Sequence, residues 1–328
     1  MARDHFVSQV HLKNFYASSL GGRKMYGFSK SSGKRFPCGS EDVCRIEEGS
    51  TNAFLPEPRL VEEFLKSVEP GYNAACTALR AGPILPGHVR VIAGFLSYVM
   101  TCSPGGMRLG TEPMNSRLKL ELALMEEAGL LSAPPPELPP ALREMSIAQL
   151  LEEGHLLCET DPKYPQAIGI ASLLRLLGFF GNCAWDILLN GHDDTPFFTS
   201  DFPVAVEATS DPIVANRVVP LTPRLAIRIH PRRVSPGSLP SHRDGRFSDF
   251  RYRRREISRQ EAMAVNRLIV GCAEDLVFAS LDRPWVGGFL ERNAHFRLEA
   301  ETSNLRYEGG GLSIARVVLR QRRARAGI

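Results

Sequence analysis

TPFFTSDFPVAVEATSDPIVANRVVPLTPR, residues 195–224, is the stretch from which the fold is most readily argued. Phe197 to Ser200 form an apolar run of strand character that ends on two short polar side chains, Ser200 and Asp201. Pro203 lacks the amide hydrogen a central ladder needs, so the strand stops there. A Ser-Asp pair at the point where a buried strand emerges is well sited for chemistry or for binding. The same pair ahead of a proline also folds back on its own backbone as a turn, and the residues alone leave both readings open.

Working downstream, RLAIRIHP at 224–231 alternates Leu225, Ile227 and Ile229 with Arg224, Arg228 and His230. That period of two predicts a half-buried strand with a basic outer face. The segment from Arg232 to Ser258 has little apolar content and carries Arg251, Arg253, Arg254 and Arg255 around Tyr252, which predicts a basic loop near 231–257. Arginines interleaved with aromatics suit nucleic-acid phosphates and bases, and a solvated loop has the same composition. Ser258 to Cys272 predicts a core helix, and VFAS at 277–280 a short strand.

Working upstream, Ile168 to Leu189 predicts the best core helix of the chain, with Asn182, Asp186 and Asn190 recurring every four residues along one face. Such a stripe is hydrogen-bonded or functional if buried, and unremarkable if solvated. Further amphipathic helices are predicted over 58–79, 88–100, 115–131 and 146–157. Residues 4–16 have a spacing close to helical, with His5 just before the helix and His11 inside it. Met25 to Phe28 with the SSGK turn predicts a hairpin. Five prolines between 134 and 140 exclude helix and central strand, and mark a proline-rich insert near 132–141. From about residue 320 the chain is a basic tail.

These elements predict an α+β protein, several amphipathic core helices on a small mixed or antiparallel sheet, in one domain over 1–328. With 328 residues, 43% of them hydrophobic, the chain can build a sizeable core. No apolar run reaches the roughly 20 residues that span a bilayer. The opening MARDHF has no apolar signal core, so a cytoplasmic location and no membrane partner are expected. Seven dispersed cysteines suit reduced, mostly buried thiols rather than disulfides or a zinc site. The net charge of +4 conceals an asymmetry, because from Arg224 onward there are 21 Arg, 11 acidic residues and no Lys. A glycine-rich phosphate loop, a GxSxG elbow and an HExxH zinc helix are all absent from the sequence, which excludes those enzyme classes in their usual forms.

Three motifs in order resemble a known family. DHFVSQVHLKNF at 4–15, TSDFPV at 199–204 and PLTPR at 220–224 are similar to domain of unknown function 4238, whose opening motif looks like HHYVPxxYLxxF. His5, Val7, Leu12 and Phe15 match it, while Asp4, Ser8 and His11 stand where the family usually has His, Pro and Tyr. An Arg-x-Pro element of the family is replaced here by CSP at 102–104. The resemblance implies a cytoplasmic α+β protein of one domain and no particular reaction.

Two functions compete at this point. In a hydrolase acting on a phosphodiester or nucleic acid, His5 would be the acid or base, Asp201 would orient it or hold a divalent metal, and Ser200 would be a nucleophile. Arg224, Asp186, Arg253 and Arg254 would bind the substrate. No cofactor is evident beyond that divalent ion, and the expected partner is a phosphate-bearing ligand. In the alternative the chain is a binding module for nucleic acid or protein, and its arginine-rich C-terminal part makes the contact.

Overall fold

A computed structural model describes residues 3–131, 137–232, 246–307 and 310–322. The elements in chain order are β1 (Arg3–His5), α1 (Gln9–Lys13), β2 (Met25–Ser29), β3 (Arg35–Cys38), β4 (Arg45–Glu47), α2 (Leu60–Lys66), α3 (Tyr72–Arg80), α4 (Pro86–Cys102) and α5 (Pro104–Glu127). Next come α6 (Pro140–Arg143), α7 (Ile147–Glu152), α8 (Lys163–Ala171), α9 (Leu173–Gly181), β5 (Ala184–Leu189), β6 (Thr199–Ser200), β7 (Ala205–Ala208), β8 (Ala215–Thr222) and β9 (Leu225–His230). The chain continues with β10 (Arg251–Glu256), α10 (Arg259–Cys272), β11 (Leu276–Ala279), α11 (Pro284–Asn293), β12 (Phe296–Tyr307) and β13 (Gly310–Gln321). The fold is α+β, as the sequence predicts.

The described residues form four sheets: two two-stranded ones, β1-β4 and β12-β13, and two larger ones. The larger is mixed, in the order β10-β5-β9-β8-β7, with β10 parallel to β5 and the remaining pairs antiparallel. The smaller is antiparallel, in the order β3-β2-β11-β6. Residues 195–224 feed both: Thr199–Ser200 joins the smaller sheet as β6, and after the Pro203 break the chain enters the larger one as β7 and β8. The two sheets therefore meet where TSDFPV runs between them.

Helix α4 sits at the centre of the helical layer, packed on α3, α5, α8 and α9. Pro86 at its first turn presets the helical φ, and Ile92, Phe95, Leu96 and Val99 are almost wholly buried. Full burial of side chains of this size stabilises by roughly 1.5–3 kcal/mol each. Ser103 closes α4 and caps α5, its Oγ accepting the amide of Gly106 at 3.1 Å. Ser258 and Glu261 form a capping box on α10. Among the described residues no helix is long and apolar enough to cross a membrane.

Several expectations are corrected. Ile168 to Leu189 is not one helix: it is α8, α9 and strand β5, so Asn182 ends a helix while Asp186 lies inside a sheet. His5 belongs to a strand, and the first helix is only the five residues of α1. The 58–79 segment is split into α2 and α3, the 146–157 helix is shortened to α7, and the third helix starts eleven residues earlier, at Pro104. The basic loop is in part a strand, β10, while 233–245 of that stretch lies outside the described residues. So do 132–136 of the proline-rich insert and 323–328 of the basic tail, although β13 carries the chain as strand to Gln321.

Candidate functional site

The motif residues separate into a sealed knot and an open pocket. In the knot, His11 of α1 is fully buried, with Nδ1 2.6 Å from the Tyr72 hydroxyl and Nε2 2.7 Å from Thr199 Oγ1. Its ring stacks on Phe95, with centroids 4.8 Å apart. Burial pulls the imidazole pKa down to about 3, so the ring is neutral. Asn14 reaches the carbonyl of Leu221, and Phe197 donates its amide to the carbonyl of Pro223 at 2.8 Å. Asn266 of α10 holds the same strand from behind, accepting the Phe198 amide and donating to the Pro196 carbonyl, both at 2.8 Å.

Ser200 and Asp201 belong to this knot. Ser200 is buried, and its Oγ accepts the Phe202 amide at 3.2 Å, which is the turn geometry. Asp201 is 6% exposed and accepts three amides, from Glu274, Asp275 and Leu276, at 2.8–2.9 Å. Burial pushes its carboxyl up to about 6 against the pull of those three bonds. The peptide it grips is the link from α10 to β11. Lys30 seals the end of that helix, its ammonium donating to the carbonyls of Val270, Gly271, Ala273 and Phe296.

Of the predicted substrate-binding residues, Asp186 and Arg253 pair with each other, while Arg224 and Arg254 are engaged elsewhere. Arg224 is exposed and paired with Asp193. Asp186 is 5% exposed and takes a two-pronged bond from Arg253 on the parallel neighbour β10, with His230 at 3.1 Å. Burial raises its carboxyl, but the bonds and charges of Arg253 and His230 win and hold it below the usual range. Arg254 caps α3, donating to the carbonyls of Leu79 and Ala78 at 2.8 Å and to that of Gly82.

His5 lines an open pocket, a cleft of about 340 Å³ shared with Arg3, Asp4, Gln9, Glu62 and Glu69. Its Nε2 lies 3.1 Å from the Ser40 carbonyl, an acceptor only, so Nε2 carries the hydrogen. Nδ1 is then the lone-pair nitrogen, with the Gln9 amide at 3.4 Å. Tyr98 donates its hydroxyl to the His5 carbonyl at 2.7 Å and fixes the strand. Burial lowers the imidazole pKa more than the Ser40 carbonyl raises it, leaving a neutral base at pH 7. Asp4 is held by the Ser50 amide at 2.9 Å and Glu69 by Ser8 Oγ at 2.6 Å.

Sequence reasoning undervalued His11 and missed Tyr72, Ser40, Lys30 and Asn266. The signal for His11 was its place among Val10, Leu12 and Phe15, an apolar setting in which a histidine must find partners. Among the described residues no group of three His, Cys, Asp or Glu is placed to hold a metal ion. Comparison with curated proteins and with solved structures finds no match. A family model described as "Protein of unknown function (DUF4238)" matches residues 3–283, which takes in the knot and the His5 pocket and leaves out the β12–β13 hairpin. The chain belongs to the DUF4238 family.

Proposed function

We propose that the chain is a hydrolase-type enzyme in which His5 acts as general base on a polar substrate held in the 340 Å³ cleft. The observation that carries this reading is the state of the imidazole: neutral, anchored through Nε2–H to a carbonyl, with the Nδ1 lone pair loosely held. A base oriented through its far nitrogen is the arrangement that proton transfer requires. Glu69 and Asp4 would stabilise the imidazolium formed when His5 takes a proton, since both charges raise its pKa.

The lining favours a neutral or cationic substrate over a phosphodiester. Asp4, Glu62 and Glu69 stand against Arg3 and Lys66, and Lys66 is already paired with Glu63 at 2.6 Å. Residues of the knot, Ser200 and Asp201 included, act in this reading as fold determinants that fasten the motifs together.

The test is hydrolysis by the purified chain of a panel of esters, amides, glycosides and phosphodiesters, with His5→Gln and His5→Ala beside it. Loss of the base should lower the rate by about 10²–10⁴-fold. The wild-type rate should rise with pH through an inflection below 6.5 and level off by neutrality. Equal rates in wild type and His5→Gln would sink the assignment.

The nucleic-acid reading rests on Arg251 and Tyr252, which are exposed on β10. It is weaker because the neighbouring arginines are engaged internally: Arg253 with Asp186, Arg254 with α3, and Arg255 with Glu261. Binding through this face would weaken steeply with salt.

A further inference from the structure

A second cavity, of about 210 Å³, lies where α4 and α5 meet TSDFPV, β7, β8 and the terminal hairpin. Its walls are apolar: Met100, Leu109, Phe202, Val204, Val206 and Val317. Gly106 and Gly110, one turn apart on α5, add bare backbone. Into this lining comes one charged side chain, Arg217 of β8.

Among the described residues Arg217 has no carboxylate partner. Its Nη1 donates to the carbonyls of its own strand, Ala215 at 2.8 Å and Asn216 at 3.3 Å. Its Nε is sealed from solvent and has no hydrogen-bond partner among the described residues. The ionisable groups that act on it are Cys272 and Cys183, thiols that burial pushes up to about 11 and so keeps neutral. Comparably buried arginines are treated differently: Arg108 holds Glu274 at 2.6 Å, and Arg228 holds Glu207 at 2.8 Å. A half-buried guanidinium whose sealed Nε–H lacks an acceptor gains from a ligand that supplies the anion.

We propose that this cavity binds a small amphipathic anion, a short aliphatic carboxylate whose head pairs with the Arg217 guanidinium and whose chain fills the apolar walls. At the roughly 30 Å³ that a water occupies in the liquid, the space holds about seven non-hydrogen atoms, the size of a five-carbon acid. The planar fork of arginine matches a carboxylate with two parallel hydrogen bonds. The site is separate from the His5 cleft and stands or falls independently of it.

The test is ligand-observed NMR and thermal shift on the full chain with pentanoate, its neutral analogue pentanamide, decanoate and butyl phosphate. Pentanoate should bind saturably and at least tenfold more tightly than pentanamide, and decanoate should be excluded by length. Arg217→Met should fold at least as stably as wild type and lose the preference for the acid. If that variant does not fold, Val317→Trp, which blocks the cavity from the half-exposed hairpin, should abolish pentanoate binding. Equal binding of acid and amide, no binding of either, a preference for butyl phosphate, or an acid preference that survives in Arg217→Met would each overturn the proposal.

Discussion

The Nε2 of His11 lies 2.7 Å from Thr199 Oγ1, joining two residues 188 positions apart and, through them, the first motif of the chain to TSDFPV. The bond is sealed from water and its histidine is neutral, so its contribution depends on pH. The folded pKa of about 3 lies below the unfolded value of 6.5, and the unfolded chain binds the extra proton between them. His11 therefore supports the fold above pH 6.5 and opposes it increasingly as the pH falls to 3, by about 1.4 kcal/mol per unit. Asp201, raised to about 6, has the reverse sign between 6 and 3.8, where the folded chain holds the extra proton. In His11→Gln the first effect is gone, so urea melts at stepped pH should show its acid destabilisation to be shallower than that of wild type. Parallel curves would show that His11 is already protonated or exposed.

Asp201→Asn should cost about 2–4 kcal/mol, because an amide group can turn only one oxygen toward three backbone donors. Hydrogen exchange at Glu274, Asp275 and Leu276 should speed up before the rest of the molecule does. An unchanged exchange pattern would mean that the carboxylate is not what holds this link.

Gly106→Ala is expected to destabilise although alanine is the better helix former. A Cβ there would stand 2.2 Å from the Met100 carbonyl oxygen, which is backbone and cannot step aside. The propensity gain of about 1 kcal/mol is outweighed by the clash. A higher midpoint in a denaturant melt would contradict the close approach of α4 and α5.

Lys30→Met should loosen the C-terminal end of α10, leaving the Val270, Gly271, Ala273 and Phe296 carbonyls without their shared donor. A loss of about 2–4 kcal/mol is expected from several buried acceptors going unsatisfied at once. Lys30→Arg should recover little of it, since a flat fork cannot address carbonyls converging on a point.

Where apolar period and stop signals agree, the fold is legible in the sequence. The 25–38 hairpin, β9, α4 and α10 fall where the periodicity puts them, because Pro86, Ser258 and the SSGK turn mark their ends locally. Residues 168–189 mislead because a continuous apolar run suits a buried helix and a buried strand equally, and the break lies in the Gly181-Asn182 pair. Strand β10 is illegible for another reason. Its residues, Arg-Tyr-Arg-Arg-Arg-Glu, show no apolar-polar alternation, and its place is set by pairing with Trp185, Asp186 and Ile187, far away in the chain. As to site residues, types pointed to Ser200 and Asp201, but burial could not be read from one strand. The pocket around His5 depends on Ser40, Glu62 and Glu69 arriving from separate stretches of the chain.

Strand β10 is the last strand of the larger sheet, and such a strand offers its outer amides and carbonyls to any passing chain. Of its six residues only Tyr252 is uncharged. A second copy adding itself in register would have to stack arginine on arginine along the seam. Such a run would oppose edge-to-edge pairing by charge repulsion, and neutralising Arg251 and Arg253 is expected to raise self-association of the variant over wild type in light scattering.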